Sequence, residues 1–184
     1  MPAKHFLNQS QLESLTSPIR LAIVQRLEVD KQATAADLSR RMGRPVTSLY
    51  HHLKQLQDVG LVRVTSERKG PRRPEAVYAL IAQYLSSAEA VKTARGRRSY
   101  GRAAARVADA GARAFSAAVA DGSSKFEGAE RNAMARYYVL RATKVQLARL
   151  NRLLDELDVA ATQPCDDGDE IQLTILVSRR SSKR

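Results

Sequence analysis

The chain has 184 residues, with 31 Lys and Arg against 19 Asp and Glu, a formal net charge of +12 and an isoelectric point near 10.3. A hydrophobic content of 43% is enough for a buried core and excludes wholesale disorder, while 5% aromatics, no Trp and abundant Ala favour packed helices over a sheet-rich fold. One Cys, Cys165, excludes an intramolecular disulfide and a thiolate zinc site; no apolar run reaches the ~18 residues of a membrane span. The opening "MPAKHFLNQ" has no signal-peptide apolar region, and a cytoplasmic protein is expected.

Residues 1–9 read as a loose arm and Ser10 to Leu15 as a short helical turn. Ser17 is a natural N-cap, and Pro18 sits at the first helical position, where its missing N–H costs nothing. Leu21, Ile23, Val24 and Leu27 give the apolar face of a helix expected over Pro18–Glu28. "VDKQATA" reads as a connector. Thr34 then caps a helix over Ala35–Met42, with Asp37 three residues on in a near capping-box arrangement; Leu38 and Met42 point inward. Gly43 ends that helix and Pro45 begins the next after a three-residue turn.

Over Pro45–Val59, Val46, Leu49, Leu53 and Leu56 recur at intervals of three and four, which predicts one buried stripe. Gly60 supplies the stop. "LVRVTSE" and "EAVYAL" favour strands by β-branched and aromatic content. Between them "RKGPRRP" holds Arg68, Lys69, Arg72 and Arg73 around a Gly-Pro turn, so the pair reads as a β-hairpin with a basic tip. Helix, helix, helix, hairpin is the order of a winged helix-turn-helix, expected over residues 1–81.

Residues 82–184 read as a helical dimerisation and possible sensing region with a basic tail. Leu85, Val91, Tyr100, Val107, Ala114 and Phe115 lie near one face of the first long helical pattern, whose glycines either bend it or admit close contact. "DGSSKFEG" punctuates the chain. A second long helix is expected from about Ala129 to Val159, with Leu140, Leu147, Leu150, Leu154 and Leu157 in an a/d rhythm and Thr143 at the one place that is not apolar. With Leu85 and Val91 these leucines form the candidate dimer interface; packing against the preceding helix of the same chain is the other reading. "IQLTILV" alternates as a strand does, and "SRRSSKR" is a basic tail. The fold class is mainly α with a small β-hairpin wing.

The charge sits where a reading module would need it: +6 over residues 1–80, +5 over 81–120 and +1 over 121–184. Each phosphate that a cation neutralises releases condensed counterions, so this surplus favours a polyanionic partner. An α-helix fits the major groove, where base edges display a donor and acceptor code. The polar face of the second motif helix offers Arg44, Thr47, Ser48, Tyr50, His51, Lys54 and Gln55, and Thr34 stands before the first. Arg68, Lys69, Arg72 and Arg73 suit phosphate or minor-groove contact. Tyr50 is equally suited to packing against the wing. His51 and His52 diverge by about 100° on a helix and cannot converge on one ion. No metal or cofactor is expected.

These residues carry a resemblance. Leu15–Leu80 is similar to the winged helix-turn-helix of the ArsR-type transcriptional regulators, with Ser48, His51, His52, Leu53, Leu56, Gly60, Leu61 and Val62 in the recognition-segment pattern. The resemblance implies a homodimer that binds a palindromic operator and usually represses transcription. Many members release DNA on binding metal through Cys-rich sites, and here neither motif helix holds a Cys. The extension past Ala82 exceeds the compact members, which leaves room for an unidentified small-molecule effector. Expected partners are double-stranded DNA and a second copy, with no membrane. The other reading is an architectural or partner-binding winged-helix protein without sequence readout. No Gly-rich phosphate loop, nucleophile elbow or metal-ligand spacing points to an enzyme.

Overall fold

The computed structural model describes residues 4–70, 73–82, 84–162 and 170–179. Two compact units divide the chain: Met1–Ala110 with Ile175–Arg184, and Gly111–Thr174. In the first, β1 (Lys4–Phe6) and α1 (Gln9–Ser14) precede α2 (Pro18–Asp30), β2 (Gln32–Thr34), α3 (Ala35–Met42) and α4 (Val46–Asp58). Then come β3 (Val62–Arg68), β4 (Glu75–Leu80), β5 (Tyr84–Ser86), a 3-10 turn at Ala90–Lys92 and the start of α5 (Ala94–Ala120). The expected winged helix-turn-helix is present.

The first unit closes around one apolar core. Leu12, Ile23, Leu27, Leu38, Leu49, Leu53, Leu56 and Leu61 are all fully buried, so each of the first four helices contributes to it. Burial of this stripe, more than local propensity, holds the short helices in place. The α4 stripe is the predicted one, with Val46 half-buried at its start. Pro45, the expected first residue, takes the N-cap place of α4, which starts one residue later at Val46, and Ser17 stands at the N-cap of α2 without a side-chain cap bond.

β2, β4 and β3 form an antiparallel sheet in that order. The connector "VDKQATA" thus contains an extension of α2 to Asp30 and a three-residue strand, where only a loop was expected. The "loose arm" also has structure: β1 pairs in parallel with β5, with His5 opposite Leu85, and Asn8 and Gln11 form a capping box at α1. Leu85 therefore lies on a strand and packs against this unit's own core, so it is not on a helical seam as expected. Val91 falls in the 3-10 turn and is half-buried. The first long helix expected in residues 82–184 begins at Ala94, where Thr93 Oγ1 accepts from Gly96 N (2.9 Å).

In the second unit α6 spans Lys144–Thr162. Residues 129–143, expected to be helical, form no helix. Thr143 explains the late start: its Oγ1 accepts from Gln146 N (3.2 Å) while Gln146 Oε1 accepts from Thr143 N (2.9 Å), a reciprocal cap. Leu140 is consequently off the helix and exposed; Leu150, Leu154 and Leu157 are half-buried on α6, and Leu147 is exposed. "IQLTILV" forms no strand, and its large side chains stand mostly exposed. Cys165 lies outside the described residues. No helix among the described residues is long and apolar enough to cross a membrane.

Candidate nucleic-acid interface

α4 is held at its C-terminal end and along its back, which leaves one face free. At its C-terminus Leu61 N donates to Leu56 O (2.9 Å) and Gly60 N to Gln57 O (2.8 Å). This is the Schellman arrangement, with Gly60 at φ 70° and Leu56 and Leu61 buried together. Gln11 completes it from α1: its Nε2 donates to Val59 O (3.0 Å) and Gly60 O (3.4 Å), and its Oε1 accepts from Asn8 N (3.0 Å). A glutamine buried this deeply is tolerable only because both ends of its amide are satisfied.

The N-terminal end of α4 is open. Pro45 offers no side-chain cap, and Ser48 spends its proton on Pro45 O (2.8 Å), which leaves the hydroxyl oxygen free to accept. Arg44, Thr47, Ser48, His51 and Lys54 are all exposed on one side of the helix. Tyr50 is 42% exposed and sits near the sheet, where burial first, then charge repulsion from Tyr50, pushes the Tyr78 phenol up. Lys54 pairs with Asp58 at 3.3 Å. Both groups are well exposed, so water and salt screen the pair and a phosphate can replace it.

Three expected contact residues are placed differently. Thr34 is 1% exposed: its hydroxyl accepts from Asp37 N (3.1 Å) and donates to Asp37 Oδ2 (3.0 Å), so the residue that caps α3 has nothing left to offer a ligand. Gln55 is half-buried and turns inward, its Oε1 accepting from Arg20 Nη1 (2.6 Å). Arg68 is exposed but ion-paired with Asp37. Lys69 and Arg73 are exposed at the wing tip, and Arg72 lies outside the described residues.

Behind the face lies a polar network that sequence reading did not isolate. Arg20 joins the carbonyl of Ser14 (2.8 Å) to Gln55, which ties α1, α2 and α4 together. His52 faces this network; its Nδ1 is buried without a hydrogen-bond partner. Burial first, then the Arg20 charge, hold its pKa below the ordinary value near 6.5. His51 points the other way, its ring 5.6 Å from that of His52 with 65° between the planes. Among the described residues no three His, Cys, Asp or Glu side chains are grouped to hold a metal ion.

Residues 15–65, from the end of α1 into β3, match the family model of a helix-turn-helix domain. A comparison with curated proteins finds no match. Among solved structures, a MarR family protein of Mycobacterium tuberculosis in complex with salicylic acid is similar at 20% identity and a TM-score of 0.31, with 80% of this chain and 84% of that chain covered. So distant a likeness carries no argument about function. The matched segment together with the hairpin behind it makes this module a winged helix-turn-helix, a type of domain that serves DNA-binding transcription regulators.

Proposed function

We propose that the protein is a sequence-specific DNA-binding transcriptional regulator, acting as a homodimeric repressor on a palindromic operator. One observation carries the DNA reading: α4 buries its leucines and leaves Arg44, Thr47, Ser48, His51 and Lys54 exposed beside a wing tipped by Lys69 and Arg73. On this reading the first turns of α4 enter the major groove, where Thr47, Ser48 and His51 meet base edges. Arg44, Lys54 and the uncapped amides of the helix N-terminus hold phosphates, which fix register but carry no sequence information. The wing tip reaches the adjacent backbone or minor groove.

The ArsR-type resemblance of Leu15–Leu80 supports repression and two-fold symmetry. Residues 1–81 hold the duplex, and 82–184 serve self-association. Support for self-association comes from the second unit, where Met134, Tyr137, Tyr138, Val139, Leu140, Leu147 and Leu153 are all more than 40% exposed. Apolar surface so concentrated marks an interface. Selection of duplex fragments by the purified full-length chain tests the function. Enrichment of one inverted-repeat site is expected; recovery of fragments unrelated in sequence would refute specific readout.

A further inference from the structure

Among the described wing cations, Arg68 has a fixed internal partner that Lys69 and Arg73 lack. Its Nη1 lies 3.2 Å from Asp37 Oδ2 on α3. Asp37 cannot follow a moving wing, because Thr34 N and Thr34 Oγ1 each donate to the same Oδ2 at 3.0 Å, and Arg40 donates to Oδ1. The carboxylate is only 18% exposed against 55% for Arg68. It stays ionised at neutral pH, since the Thr34 backbone bond, with Thr34 hydroxyl and the Arg40 and Arg68 charges after it, lowers its pKa.

The strand is built to reach that carboxylate. Val64 pairs with Tyr78 but Ser66 pairs with Val77, so Thr65 is one residue too many and β3 bulges there, with Thr65 Oγ1 donating to Val77 O (3.3 Å). Side chains alternate across a strand, so one extra residue moves every later one to the opposite face. After the bulge Arg68 pairs with Glu75, on the sheet face of Val77; Val77 in turn pairs with Thr34 on β2. In a regular strand Arg68 would share the face of Val62 and Tyr78, away from Thr34 and Asp37.

We infer that Arg68 is a positioning residue: paired with Asp37, it docks the wing on α3 and so sets where Lys69 and Arg73 meet the duplex, without binding phosphate itself. The inference rests on the DNA-binding reading for its consequence, though the docking does not. Two measurements separate them. In hydrogen exchange, R68M and D37N are expected to speed exchange of the Ser66–Glu75 amides at least fivefold, while R68K, which keeps a cation for Asp37, stays near wild type and R73A is unchanged.

In duplex binding against salt, R68M is expected to weaken affinity about five- to tenfold at an unchanged slope, whereas R73A lowers the slope by about one. D37N keeps an acceptor for the Thr34 cap and is expected to weaken binding as R68M does. A slope reduced by about one in R68M with unchanged exchange would make Arg68 a phosphate ligand and overturn the inference. So would tighter binding by D37N, which would show the carboxylate merely competing with phosphate. Should the wild-type chain bind no duplex, the functional reading falls and exchange alone decides: unchanged wing protection in R68M overturns the docking.

Discussion

Ser48 and His51 stand on the exposed turn of α4, one with a free acceptor and the other with a ring directed away from the core. Their chemistry suits base edges, so S48A and H51A are expected to redistribute preference among related duplexes by about 1–3 kcal/mol per lost contact. A loss equal across unrelated sequences, read by competition binding, would count against that role. His52 makes a different prediction. Its folded-state pKa lies below the ordinary 6.5, so the unfolded chain takes up a proton first as pH falls. The stability due to the neutral ring is whole above about 6.5 and is lost as pH drops through the range below it. Urea midpoints between pH 7.5 and 5 should fall for the wild type and fall less for H52Q; parallel curves would deny His52 the effect.

The elements depend on a few close fits. Gly60 sits at φ 70° with Gln11 Nε2 3.8 Å from where a Cβ would be, so G60A meets no clash and suffers only the left-handed backbone penalty of about 1–2 kcal/mol. Gly96 is the opposite case: a Cβ there would lie 1.7 Å from Ala90 O, so G96A must shift α5 from the 3-10 turn. A loss of about 1–3 kcal/mol is expected by denaturant unfolding; a neutral G96A would show that the close approach is not needed. What could be read in the sequence follows the same division. α3 and α4 were legible nearly to the residue because caps, glycines and a leucine stripe agree locally. β1 and β5 were not, since three residues of each gain their pairing only from a partner about eighty positions away. α6 was misread by rhythm: the leucine heptads run back through Leu140, but Thr143 and Gln146 close a cap that starts the helix at Lys144. The exposed polar face of α4 was legible; the internal partners of Thr34, Gln55 and Arg68 were not, because polarity alone does not reveal them.

For the molecule as a whole, charge and apolar exposure are apportioned differently along the chain. Residues 1–120 carry nearly all the surplus of positive charge, and the second unit carries the long run of exposed aromatics and aliphatics. L150E with L154E places two carboxylates on the leucine stripe of α6, and light scattering is expected to show a shift from dimer to monomer with the first unit still folded. A monomeric wild type would remove the basis for a palindromic site. The central claim is tested most directly by the affinity of the full-length chain for a duplex as ionic strength rises. Tight binding at low salt is expected, with a log–log slope of several ions that falls by about two when Lys69 and Arg73 are both replaced by Ala. No binding at low salt, or a slope indifferent to those two side chains, would contradict it.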